Sequence, residues 1–180
     1  MIRIFRDALI GIAAICWTTV ALAQTLTAED QRDLAAVVEQ FLADTRALNV
    51  SGVVETMPPS VIADLAHRND MTETELISAV VEAMEAAMES VALLEVQMDS
   101  TAAVLGETSA GRIFVLLPTM TLMQVGDAVY RAGSHTLAFK ETGQWSLIRL
   151  DEPSQRQMLV NALPEFTGIT FPEASLEQIE

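Results

Sequence analysis

The sequence predicts an α+β domain in which N-terminal helices pack on one face of an antiparallel sheet. Two observations carry that expectation. Apolar residues recur every three to four positions as far as residue 90 and every second position after it, so the period changes from that of a helix to that of a strand. The strand-like segments are joined by short turns of Gly, Asp, Ser or Thr, which favours hairpins over parallel crossovers. With 51% hydrophobic residues the chain can bury a core, and no repeat or low-complexity linker divides it.

The first segment reads as an export signal. Arg3 and Arg6 precede an apolar run from Ala8 to Leu22, interrupted only by Thr18 and Thr19, and Ala21-Leu22-Ala23 supplies small residues at the third and first positions before a cut. The run is shorter than the roughly 20 residues a permanent membrane helix needs. Residues 1–23 are therefore expected to be a cleaved signal peptide, giving a periplasmic or secreted protein with no stable membrane insertion. A lipoprotein anchor at Cys16 is the rival, but Ile15 stands where a small residue should. Cleavage removes Cys16, the only cysteine, and with it any disulfide, thiolate metal ligand or cysteine nucleophile.

Residues 24–172 form the expected single domain. Thr27 followed by Asp30 opens a helix whose apolar face runs through Leu34, Val37, Val38, Phe41, Leu42 and Leu48, and Asn49-Val50-Ser51-Gly52 is expected to end it. A short helix follows Pro58-Pro59, with Val61, Ile62, Leu65 and Ala66 as its stripe. Thr72 and Glu75 have capping-box spacing, flanked by Met71 and Leu76 as a hydrophobic staple. Leu76, Ile77, Val80, Val81, Met84, Ala87 and Met88 continue that third helix, with its methionines read as core filler.

Strands are expected at Val91–Met98, Ala102–Glu107, Arg112–Val125, Ala128–Lys140 and Gln144–Leu150, the last hairpin closed by Thr142-Gly143. Pro118 cannot donate to a ladder and predicts a bulge or an exposed edge. The apolar register on both sides of Ile113 to Leu117 calls for cover on both faces, which motivates a homodimer through the open face of the sheet. A final helix starts near Pro153 and stops at Pro164, and residues 173–180 are expected to be a flexible acidic tail.

The formal net charge of −15 argues against nucleic-acid and anionic-lipid partners, which bind clustered Lys and Arg. No phosphate loop, nucleophile elbow or zinc-ligand spacing occurs, so neither cofactor nor metal is expected.

On the long first helix, Met57-Pro58-Pro59-Ser60-Val61, Phe114 to Thr119 and Leu137 to Ile148, the chain resembles the nuclear transport factor two-like superfamily, SnoaL-like proteins included. The resemblance implies a cone-shaped domain with a strongly bent sheet and an enclosed pocket, a scaffold that serves isomerases, dehydratases, carriers and dimerisation modules alike. It implies no activity, since none of the superfamily's catalytic motifs matches here residue by residue.

The expected function is a non-catalytic binding or interaction module taking a small apolar ligand in a largely apolar pocket. Its expected contacts are Tyr130, Arg131, Phe139, Trp145 and Arg149, the polar ones serving if they point inward and Phe139 and Trp145 as core or pocket wall. The alternative is a cofactor-independent hydro-lyase or isomerase using His135, or Asp64 with His67 three residues on, as acid and base. Against it, His67 with Arg68 suits a helix C-terminus, and His135, in register with Leu137 and Phe139, is expected to be partly exposed and hydrogen-bonded to the neighbouring strand.

Overall fold

The computed structural model describes residues 26–179. The expected signal peptide lies outside them. Helix α1 (Ala28–Arg46) starts where the Thr27 hydroxyl accepts the Asp30 N–H at 3.0 Å. It ends at Arg46 with Ala47 as its cap, and Leu48 just beyond takes a φ of 55°. Asn49 does not close α1; its side chain accepts the Gly52 N–H at 3.3 Å and caps a further helix, α2 (Val50–Glu55), where the sequence predicts a stop. Val50 and Val54 anchor α2 by burial.

Helix α3 (Pro59–Arg68) carries Pro at its first position, where the missing N–H costs nothing. Helix α4 (Glu73–Met88) has both bonds of the expected capping box between Thr72 and Glu75, and Met71 packs against the cluster of Ile62, Ala66 and Leu76.

The helices lead into a strongly curled antiparallel sheet, a half-barrel. Its strands are β1 (Val91–Met98), β2 (Val104–Glu107), β3 (Ile113–Val125), β4 (Ala128–Glu141) and β5 (Gln144–Arg149). Strands β3 and β4 form one long hairpin, in register from Phe114 opposite Phe139 to Val125 opposite Ala128. Two short strands share each outer edge. On β3, β2 pairs near the start and β1 near the end; on β4, β5 pairs near the end and a sixth strand, β6 (Ser175–Gln178), near the start. Part of the tail expected to be flexible is thus a paired strand, held against Tyr130 to Gly133.

Pro118 sits where the β3 edge passes from β2 to β1. Its carbonyl accepts the Asp99 N–H at 2.9 Å. Carbonyl and amide positions of one strand residue point to the same side, so the missing N–H faces the gap between the two partners. The bulge in this ladder lies instead in β1, between Leu93 and Glu95.

Alternation along the hairpin separates two cores. Phe114, Leu116, Leu137, Phe139 and Ile148 pack against α3, the last helix α5 (Pro153–Ala162) and the 3-10 turn Pro164–Phe166. Val115, Leu117, Ala138, Trp145 and Leu147 pack against Leu34 and Phe41 of α1. Helices therefore cover both faces of the sheet, not the one face that helices-before-strands suggests. The reason is that α5 and the residues after it return beneath the opposite side. Within the chain, β3 already has the double cover for which a second copy was invoked.

Candidate functional site

Strand β5 is the edge from which a pocket opens. The Leu147 N–H donates to the Thr56 carbonyl at 2.7 Å, pulling the C-terminal end of α2 onto the strand. Around that contact, α1 to α5 converge with β5 on an apolar space of about 310 Å³. Phe41, Val54, Met57, Leu147 and Ile148 form much of its floor, while Leu65, Met158, Val80 and Met84 close it from α3, α5 and α4. Helix α4 covers the space without filling it. Only Leu76 of its stripe is buried; Val80 and Met84 stay half-buried and Ile77 is exposed.

Arg149 is the one charged residue on this wall, beside the polar Thr56 and Gln155. It reaches the site because β5 ends there, opposite Thr136 of β4. Its Nη2 donates to Asp151 Oδ2 at 2.8 Å and to Ser134 Oγ at 3.4 Å. Arg149 Nε and Asp151 Oδ1 are shielded from water and have no hydrogen-bond partner. Gln155 is fixed at the start of α5, its Oε1 accepting the N–H groups of Asp151 at 2.6 Å and Glu152 at 3.0 Å. Deeper in the same sheet face, the Thr119 and Thr136 hydroxyls bond each other at 2.9 Å, and the buried Thr121 hydroxyl finds no partner.

Of the five expected contacts, the structure sets Arg149 alone on the wall of this pocket. Phe139 is fully buried in the core, 5.2 Å from the Phe166 ring centroid, with the Arg112 guanidinium 5.4 Å from its own. Trp145 packs under α1 and lines a separate surface groove with Gln144 and Thr142, with Lys140 Nζ 5.7 Å from its ring and its own Nε1 unpartnered. Tyr130 stands half-buried opposite Met123, towards the far end of the sheet. Arg131 is exposed and faces Glu177 at 3.7 Å.

The acid/base candidates do not meet either. Asp64 pairs with Arg68 at 2.8 Å instead of His67, which is exposed in the last turn of α3. His135 lines an open groove of about 640 Å³ with Pro118, Asp99, Glu173 and Ser175. As expected, the residue is half-buried and bonded to the neighbouring stretch of chain, its backbone carbonyl accepting the Leu150 N–H at 3.0 Å, while the ring Nδ1 is buried without a partner. Burial of the ring, then the positive charge of Arg156, push its pKa below the ordinary 6.5. Beside it, Asp99 Oδ1 accepts from the Thr101 hydroxyl, the Thr101 N–H and the Ala102 N–H, which lower the pKa of that carboxylate.

Sequence reasoning missed Met57, Val80, Met84, Met158 and Gln155 as wall residues. The methionines of the α4 stripe, Met84 among them, read as core filler, and the stripe is indeed apolar. Nothing local distinguishes a stripe that meets a core from one that roofs a space. Among the described residues no group of three or more His, Cys, Asp or Glu could hold a metal, and no helix is long and apolar enough to cross a membrane. Comparison with known proteins matches the chain to no family model, no curated protein and no solved structure.

Proposed function

We propose that this chain is an exported, non-catalytic binding module of the nuclear transport factor two-like kind, and that it holds a small apolar ligand beneath α4. The observation that carries the reading is the pocket wall itself, apolar except for Thr56, Arg149 and Gln155. A concave apolar space with a few polar groups is the usual form of a small-molecule site, and its volume is within the range such sites occupy. Three methionines, Met57, Met84 and Met158, give the wall side chains that adapt to a guest without a fixed shape. Export is supported by the basic, apolar and small-residue pattern of residues 1–23. Pairing of two copies through the sheet belongs to the same proposal, with Met120, Leu122 and Val129 half-buried on one face as its support.

The test is fluorescence titration of the chain lacking residues 1–23 with N-phenyl-1-naphthylamine, an uncharged probe that brightens in apolar surroundings. Saturable one-site binding is expected, and Met84→Trp should abolish it by filling the space while the far-ultraviolet circular dichroism stays unchanged. Binding that never saturates, or that Met84→Trp leaves intact, would refute the reading.

A further inference from the structure

We infer that the C-terminal half of α4 is a lid, which lifts to admit the guest of the pocket and is fixed in place by that guest once inside. The inference rests on the pocket reading above and adds how the same site opens and closes. The two halves of α4 are held unequally. At its start the capping box closes both ways, Thr72 N–H to Glu75 Oε2 at 2.8 Å and Glu75 N–H to Thr72 Oγ1 at 3.2 Å. Glu73 and Glu75 stand where the helix dipole favours negative charge, and Leu76 is buried with Ile62 and Ala66 of α3. Beyond Leu76 no residue of the helix is buried, and Val80 is the last to pack against that cluster. Met84, one turn further on, is half-buried and borders the space beneath.

Charge weakens the same half. Glu82, Glu85 and Glu89 follow one another at spacings of three and four, which set like charges side by side on a helix. Carboxylates near a helix C-terminus also oppose its dipole, and the last turn of α4 has no basic residue to offset them. No Lys or Arg occurs anywhere between Arg68 and Arg112. Local opening costs least where few buried apolar contacts are lost. Phe41, Val54, Leu147 and Ile148 are buried, so the walls opposite α4 are fixed and the end of α4 is the wall that yields. A guest beneath Met84 supplies contacts that only the closed helix can make, so binding and closure stabilise each other.

The lid is tested by hydrogen–deuterium exchange of the chain lacking residues 1–23, with and without saturating N-phenyl-1-naphthylamine. Without the probe, the amides of residues 81–88 should be protected at least about tenfold less than those of residues 36–42 in α1. Saturation with the probe should slow them about tenfold while residues 114–117 of β3 stay unchanged. Glu85→Lys turns two like-charge pairs, with Glu82 and with Glu89, into opposite-charge pairs and places a cation near the helix end. It should slow exchange of residues 81–88 about threefold without the probe. Association and dissociation of the probe, followed by stopped-flow fluorescence, should slow by the same factor and leave the affinity within about twofold, as a gate requires. Residues 81–88 as protected as α1, or unmoved by bound probe, would overturn the lid and leave the pocket reading standing. So would exchange or probe rates that Glu85→Lys leaves unchanged. Absence of saturable probe binding to the folded, unsubstituted protein would remove both.

Discussion

The β3–β4 hairpin and helix α4 are both rich in apolar residues, yet they use them differently. Four consecutive residues of β3, Phe114 to Leu117, are buried, because successive side chains enter two different cores. Along the 16 residues of α4 only Leu76 is buried, and Ile77 remains 37% exposed. A strand at the centre of a sheet receives cover from both sides. A helix lying over a strand edge receives it along one narrow line, and here that line is held by α2 and α3 at a distance from β5. The difference shows why the pocket is where it is: packing is densest where two layers meet the hairpin, and a space persists where a single helix spans the edge.

The largest effect should come from the hairpin. Phe139→Ala removes a fully buried ring that packs on Phe166 and Leu137, and is expected to cost about 3–5 kcal/mol in denaturant unfolding. Met84→Ala on α4 should cost no more than about 1 kcal/mol, since its side chain is half-buried and borders an existing space, so truncation enlarges a void without creating one. Equal losses would break the comparison and show that α4 is as tightly packed as the sheet.

A smaller change is expected at the end of α1. Leu48 holds a φ of 55° and is 48% exposed, so it takes a left-handed conformation with little burial to compensate. Leu48→Gly should raise stability by up to about 1 kcal/mol through relief of that conformation, offset in part by the greater freedom of glycine in the unfolded chain. A fall in the denaturation midpoint would mean that the Leu48 side chain matters more than its backbone.

The smallest effect belongs to His135. Its folded pKa lies below 6.5, so the unfolded chain binds the extra proton more readily. This contribution to stability is complete above pH 6.5 and declines as pH falls through that value towards the folded pKa. His135→Gln should flatten that part of the stability profile, with Arg156 and the exposed Glu173 as the charged neighbours left behind. A profile unchanged by the substitution would place the titrating group elsewhere.

Much of the architecture was legible because its signals are local. The strand at Val91–Met98 matched to the residue, and the capping box at Thr72 and the turn at Thr142-Gly143, where both residues take positive φ, formed as read. Asn49 misled for an equally local reason: an Asn with a Gly three residues on, as in Asn49-Val50-Ser51-Gly52, marks the end of one helix or the cap of the next, and Leu48, not a glycine, takes the left-handed turn between them. Strand β6 escaped notice because Ser175 to Gln178 are all exposed, with no buried face to write a period into the sequence.

What the sequence determined alone is what residues within a few positions of one another decide: the change of period, the caps and the turns. Those depend on backbone preferences and on side chains that meet within one turn or one pleat. The candidate site was decided by the tertiary structure. Its wall draws on Phe41, Val80, Leu147 and Met158, residues from four separate elements, and the meaning of each depends on which neighbours the fold brings up. The same holds for the polar groups. Asp64 and His67 share a helix and do not pair, because Arg68 reaches the carboxylate first. Arg149 becomes the polar corner of an apolar space only because the edge of β5 is drawn onto α2 and α4 stands clear of it.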